Sequence, residues 1–279
     1  MITLGDFHVH TNFCPHGTND SMESYVVAAI EKELEYITFT EHAPLPLNFI
    51  DPTPNKDSAM HWDDVNRYLL EGQRLKEKYK NRIRINIGFE IDYIEGYELE
   101  TIDFLDKYGD KIDDSILSVH MLKAPNDEYV CLDFSIEEFS RIIDVFGSID
   151  LVYARYYQTV ERALEADLGK YKPSRIGHIT LIEKFSKVHQ PSNRFETELT
   201  DLLKLIHKKK YELDINTAGL YKEYCQSVYP PIDLIEIANN LGVPLVPGSD
   251  SHTSDHIARG FEQLPTNFSY SIPKKIQEG

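Results

Sequence analysis

The sequence predicts an α/β fold in which a mostly parallel sheet is wound into a barrel. Three observations predict it. Seven short strand-like runs alternate with longer helical stretches. The chain has 279 residues, long for one ordinary domain but normal for a single barrel. Histidine, aspartate and glutamate recur at the ends of successive strand runs, where a parallel barrel gathers its chemistry on one face. An open doubly wound sheet is the second fit to the same pattern.

The first run is "ITLGDFHV" (2–9), and it leads into "DFHVHTNFCPHG" (6–17). The helical stretch "SMESYVVAAIEKEL" opens at Ser21, with Ser24 three residues on, and carries apolar residues at helical spacing. "YITFTE" (36–41) is the second strand. Segment 43–61, "APLPLNFIDPTPNKDSAMH", holds four prolines and reads as a long rim loop. "WDDVNRYLLEGQRLKEKYK" is the clearest amphipathic helix, with Val65, Leu69 and Leu75 on or near one face. "IRINIGFEI" (83–91) and "SILSVH" (115–120) are the third and fourth strands. The region "SIEEFSRIIDVFGSIDLVYARYYQTVERALEADLG" is helical and should break near Gly147. "RIGHIT" (175–180) is the fifth strand, followed by a helix "SNRFETELTDLLKLIHKKK" with a cap-like Ser192. "YELDIN" (211–216) is the sixth. "PIDLIEIANNLG" starts with Pro231 in its first turn and stops at Gly242. "PLVPGS" (244–249) is the seventh. No repeat, low-complexity tract or linker interrupts this order, so residues 1–279 read as one domain.

Composition excludes several functions. The net charge is −17, which repels nucleic-acid backbone and anionic lipid. An anionic small molecule is still admissible if its pocket carries positive charge. The apolar runs are too short to span a membrane. "MITLGDFHVH" shows no basic region followed by an apolar stretch, so no signal peptide is expected. Cys14, Cys131 and Cys225 are odd in number, far apart and in no CxxC pair, which suits a reducing cytoplasm. Each reads as a small buried residue.

The site candidates follow from position. His8 and His10 end the first strand, and Glu41 and His42 the second. Glu90 ends the third and His120 the fourth. His178 lies in the fifth, and Asp250 and His252 follow the seventh. Side chains alternate across a strand, so His8 and His10 point the same way; Asp250 and His252 do too if the extended conformation continues. Such an i, i+2 pair is a two-point clamp for a metal. Any one of these residues alone could be structural, but together at equivalent strand ends they point to a metal centre. His61, His189 and His207 fall in loops or on polar helix faces, and His256 reads as an outer neighbour or a surface residue.

The stretches "DFHVHTNFCPHG", "FTEHAP", "GFEIDY", "SVH", "GHIT" and "PGSDSH" resemble the polymerase and histidinol phosphatase (PHP) family of metal-dependent phosphoesterases. "HVHTNFCPH", the proline-rich loop after "TEH", and "LDINTAGLYKEY" further resemble its histidinol-phosphate phosphatase branch. The resemblance implies a distorted (β/α)7 TIM-like barrel with three divalent metal ions at the C-terminal ends of the strands. His8, His10, Glu90 and Asp250 would hold one ion. Glu90 would bridge to a second, held also by His120 and His178. His16, His42 and His252 would hold a third.

Imidazole-rich ligands suit zinc, iron or manganese. The implied reaction is hydrolysis of L-histidinol phosphate, in histidine biosynthesis, by metal-activated hydroxide, with Glu90, Asp250 and His252 as the catalytic candidates. No phosphoenzyme is expected, and the cysteines are expected to be dispensable. The partner is a small phosphate monoester; neither nucleic acid nor membrane is expected. Arg155 and Arg259 are candidates to fork onto phosphate. Asn216, the one strand end without a metal ligand, is expected either to contact substrate or to order the loop after it. Phe13, Tyr221 and Tyr224 could stack on an imidazole ring. The alternatives are a PHP phosphoesterase for a nucleotide or sugar phosphate, an amidohydrolase, or a module with a relict site. "GFE" plus "DSH" supply more histidines than an amidohydrolase centre uses, and the intact set of nine argues against a relict.

Overall fold

A computed structural model describes residues 5–277. Seven strands, all parallel to their neighbours, form the main sheet: β1 (Gly5–Val9), β2 (Tyr36–His42), β3 (Arg84–Asp92), β4 (Asp114–Ser118), β7 (Arg175–Ile176), β8 (Glu212–Asn216) and β9 (Leu245–Gly248). They are hydrogen-bonded in the order β1-β2-β3-β4-β7-β8-β9. Residues just past β9 return to β1: Asp250 N donates to His8 O at 2.8 Å, and His10 N donates to Ser251 O at 2.9 Å. The sheet is therefore a nearly closed barrel rather than an open one. Residues 2–4 of the first expected strand lie outside the described residues.

The helices lie between the strands: α1 (Met22–Glu31), α2 (Val65–Tyr79), α3 (Glu98–Tyr108), α4 (Ile136–Phe146), α5 (Ile149–Glu165), α6 (Glu196–Lys209), α7 (Ile232–Asn240) and the short α8 (Lys274–Gln277). Ser21 caps α1 by accepting from Ser24 N. Helix α2 buries Val65, Leu69 and Leu75 as expected, and it lies so close to β3 that a Cβ on Gly72 would collide with the Ile87 side chain. The break between α4 and α5 falls at Gly147, whose φ of 88° ends α4 in the left-handed conformation; Ser148 then caps α5.

The structure corrects the sequence reading in five places. Ser192 is not the cap of α6. Its backbone N–H and hydroxyl both donate to Asp150, and Phe195 stands at the cap position. Pro231 sits at the cap of α7, one residue before the first turn. Helix α3 was not expected, nor was the antiparallel hairpin β5 (Met121–Lys123) with β6 (Tyr129–Cys131). The fifth barrel strand, β7, is only two residues long; Gly177 N still donates to Leu117 O of β4, and His178 follows it toward Glu90.

The barrel interior is polar at its centre. Arg175 is fully buried, paired with Asp114 and 3.5 Å from Asp214 Oδ1. Asp6 is buried too, accepting from Ser249 N at 3.0 Å and Ala258 N at 2.8 Å. Among the described residues no helix is long and apolar enough to cross a membrane.

Candidate metal centre

The pleat of β1 brings His8 and His10 to the same side, with their Nε2 atoms 3.2 Å apart. The β2–β3 register sets His42 directly beside Glu90. Asp250 arrives from the far end of the chain. Its φ is 52°, so the backbone after β9 is left-handed rather than extended as expected. The turn still delivers both side chains, with His252 Nδ1 3.6 Å from Asp250 Oδ1.

His8, His10 and Glu90 each place one ligand atom within 4.8 Å of the others, and Asp250 approaches the same two imidazoles from outside that set. His8 Nε2 is 3.3 Å from Glu90 Oε2 and 3.7 Å from Asp250 Oδ1. His10 Nε2 is 3.4 Å from the same glutamate oxygen and 3.1 Å from the same aspartate oxygen. A tetrahedral ion with bonds of about 2.1 Å requires its ligand atoms to be separated by ~3.4 Å. Together with the His8–His10 distance, five separations match that requirement.

A second group shares Glu90. His178 Nε2 is 2.8 Å and His120 Nε2 3.9 Å from its other oxygen, Oε1. The third region is a stack of imidazoles. His16 lies 4.9 Å from His252 and 5.2 Å from His42, centroid to centroid. The ligand atoms that gather most closely here are those of His10, Cys14, His42 and His252, all within 4.8 Å of one another. His16 stands just outside that set. Cys14 is buried, as expected of a small apolar residue, but its place beside three imidazoles was not anticipated. His252 Nε2 is buried with no hydrogen-bond partner, as a nitrogen waiting for a cation would be.

The outward-facing ring nitrogens are fixed. Asp214 Oδ2 lies 2.9 Å from His8 Nδ1, Glu41 Oε1 3.2 Å from His10 Nδ1, and Asp92 Oδ1 2.7 Å from His120 Nδ1. The carbonyl of Asp57 lies 2.8 Å from His16 Nδ1. Each partner accepts a proton at Nδ1 and so leaves the Nε2 lone pair directed inward, the arrangement of metal-ligating histidines. Sequence reasoning noted Glu41 but gave it no role, and missed Asp92 and Asp214. Asp92 lies two residues beyond Glu90 on β3, and Asp214 two before Asn216 on β8. Strand alternation alone could have placed both on the site face.

The electrostatics agree. Burial opposes charge on His8, but Asp214, Glu90 and Asp250 outweigh it and raise its pKa to about 10. His120 is likewise raised to about 10, against burial, by Asp92 and Glu90. Glu90 and Asp250 are held well below the carboxylate range, against burial, by the surrounding histidines. Burial and the neighbouring His10 push His42 and His252 well below the usual imidazole value. The carboxylates thus draw positive charge into the cluster, and a divalent cation satisfies the same field. The donor set fits a metal centre.

Residues 6–218 match the PHP domain. The chain belongs to the PHP family. This PHP chain is 44% identical to the histidinol-phosphatase of Bacillus subtilis, covering 92% of this chain and 96% of the relative. A Listeria monocytogenes protein assigned as a histidinol phosphatase superposes with a TM-score of 0.89 at 38% identity, over 92% of this chain and 98% of that one. The histidinol phosphate phosphatase of Lactococcus lactis shares the fold, with a TM-score of 0.66 at 21% identity over 95% and 94% of the two chains; that structure is described as a complex with zinc, L-histidinol and phosphate.

The PHP centre opens into a cavity of about 620 Å³ whose lining includes Lys184, Lys222 and Arg259. Arg259 lies over the Tyr221 ring, 3.4 Å from its centroid, and its guanidinium is 3.1 Å from His256 Nε2. His256 also lines the cavity, as an outer neighbour of the cluster. Arg155 is placed elsewhere, which corrects its expected role at phosphate: it donates to Lys123 O and faces Glu95, away from the cavity lining. Asn216 is fully buried and turns inward. Its Nδ2 donates to Asp250 Oδ2 at 3.1 Å and its Oδ1 accepts from Ala218 N at 2.9 Å, so it orders the loop and aims Asp250. Tyr221 lines the cavity, whereas Phe13 packs on Tyr68.

Proposed function

We propose that this chain is a histidinol-phosphatase, a metal-dependent phosphomonoesterase that hydrolyses L-histidinol phosphate to L-histidinol and phosphate in histidine biosynthesis. The observation that carries the chemistry is the set of five ligand separations around Glu90 Oε2 and Asp250 Oδ1. The substrate assignment is supported by the 44% identity to a histidinol-phosphatase over nearly the whole chain.

The centre would take three divalent ions, of zinc, iron or manganese. His8, His10, Glu90 and Asp250 would hold one; Glu90, His120 and His178 a second; His16, His42 and His252 a third. When bound, such ions lower the pKa of water from about 15.7 toward roughly 7 and neutralise charge on the phosphoryl oxygens. Glu90 uses both oxygens and so ties two of the groups together. Asn216 keeps Asp250 Oδ1 turned to the histidines by holding Oδ2. Arg259, stacked on Tyr221, and Lys222 present positive charge to an incoming phosphate dianion. The described residues 5–277 form one barrel domain, working in the cytoplasm with its cysteines free.

The test is a panel of phosphate monoesters, assayed with manganese and with zinc alongside metal analysis of the protein. The expected result is near three ions per chain and a clear preference for L-histidinol phosphate. A hundredfold preference for a nucleotide or sugar phosphate would overturn the substrate; zero or one ion per chain would overturn the centre.

A further inference from the structure

L-Histidinol phosphate carries a primary ammonium separated by only two carbons from its ester oxygen. Resting on the histidinol-phosphatase reading, that ammonium must lie close to the reacting phosphorus, in a site whose nearby cationic side chains repel it. Some anionic group near the centre has to take it.

Four carboxylates line the cavity. Three are already engaged. Asp92 accepts from the backbone N–H and ring of His120. Asp133 pairs with Lys184 at 2.9 Å. Asp250 faces His10 at 3.1 Å and accepts from Asn216 at 3.1 Å. Asp57 alone, among the carboxylates of that lining, has no cationic or amide partner among the described residues; its carboxylate accepts only a long hydrogen bond from the Thr53 hydroxyl, at 3.5 Å.

Asp57 is also tethered to the centre. Its carbonyl accepts from His16 Nδ1, so its carboxylate is one side chain's reach from the third imidazole group. The loop that carries it is firm. Asp51 accepts from Thr53 N and Oγ1, each at 2.8 Å, and from Ser58 N and Oγ at 3.0 and 2.8 Å. The proline-rich segment is therefore a braced wall of the cavity, and it holds Asp57 in place before any ligand arrives.

We propose that the Asp57 carboxylate is the ammonium subsite of this enzyme and the residue that makes it prefer an amino-bearing phosphate ester over its deaminated analogue.

The test compares L-histidinol phosphate with 3-(imidazol-4-yl)propyl phosphate, the same ester without the amine, in wild type, Asp57→Asn and Asp57→Glu. In wild type the amino ester is preferred. In Asp57→Asn the ratio of the two kcat/KM values falls by roughly 10- to 100-fold, the range for loss of a charged hydrogen bond. The loss appears in KM for the amino ester, and Asp57→Glu recovers part of it. An equal loss on both esters would overturn the proposal and leave Asp57 acting only through His16; wild-type kcat/KM on both esters would overturn it too and place the amine elsewhere. If wild type hydrolysed neither ester yet turned over another phosphate, the histidinol-phosphatase reading itself would fail, an outcome distinct from either of these.

Discussion

Asp214 stands between His8 and Arg175: one oxygen lies 2.9 Å from the imidazole Nδ1, the other 3.5 Å from the guanidinium. All three residues are fully buried. The carboxylate accepts the proton at His8 Nδ1 and so fixes the tautomer, while the guanidinium approaches its other oxygen.

Asp214→Asn is nearly isosteric but can present an N–H to His8 Nδ1 and turn the ring's other proton inward. Loss of such an outer partner weakens metal affinity or activity by roughly 10- to 100-fold. We expect metal content after mild dialysis and kcat/KM to fall together, with the far-UV spectrum retained. Full metal content with wild-type turnover would show that His8 needs no such orientation.

Arg175→Met leaves Asp114 and Asp214 buried without their cation. Breaking a buried pair from one side costs about 3–5 kcal/mol. The urea midpoint should drop accordingly, and adding Asp114→Asn should recover part of the loss. An unchanged midpoint would mean that the barrel interior is wetter than the structure indicates.

Metal removal has a pH signature. His8 and His120, both raised to about 10, bind protons that an incoming cation must displace. Metal uptake should release protons, and apparent affinity should strengthen as pH rises toward 9. In the stripped protein these two groups contribute stability that is fully present below the unfolded imidazole value of about 6.5 and lost as pH rises through about 10. Chelation should abolish turnover and lower Tm, with manganese or zinc restoring both. Affinity that did not vary between pH 6 and 9 would contradict the charge arrangement.

Glu183 offers a second pH test, away from the centre. Burial, then the like charge of Asp233, pushes its carboxyl up from 4.5 to about 7. The folded state therefore holds this proton more tightly than the unfolded one. Stability is lost as pH rises from about 4.5 to about 7 and stays lost above it. Glu183→Gln removes the penalty. It should be more stable than wild type at pH 8 by roughly 1–3 kcal/mol and indistinguishable near pH 4.5. Equal melting curves at both pH values would show that the carboxyl is solvated.

The seven barrel strands were legible because each is an apolar run bounded by turn residues, and the candidate centre was legible because most of the histidines and carboxylates it gathers sit at the ends of those runs. The hairpin from Met121 to Cys131 escaped because three-residue strands carry too little alternation to stand out. Helix α3 escaped because its acidic residues thin the apolar stripe to Thr101, Phe104, Leu105 and Tyr108. Ser192 misled because a serine before a helical run reads the same whether it caps the helix or bonds to Asp150. Arg155 misled because sequence gives its charge and not its partner, Glu95. The carboxylates behind the histidines were hidden for a related reason: which residue backs which ring depends on how neighbouring strands are staggered, a property of the closed sheet and not of any one segment.

The seam between β1 and the residues after β9 joins His8 to Asp250 across most of the polypeptide. On a ribosome, His8 emerges long before Asp250 is made. No nascent fragment ending before Asp250 can close this seam, so the site face is completed only late in synthesis.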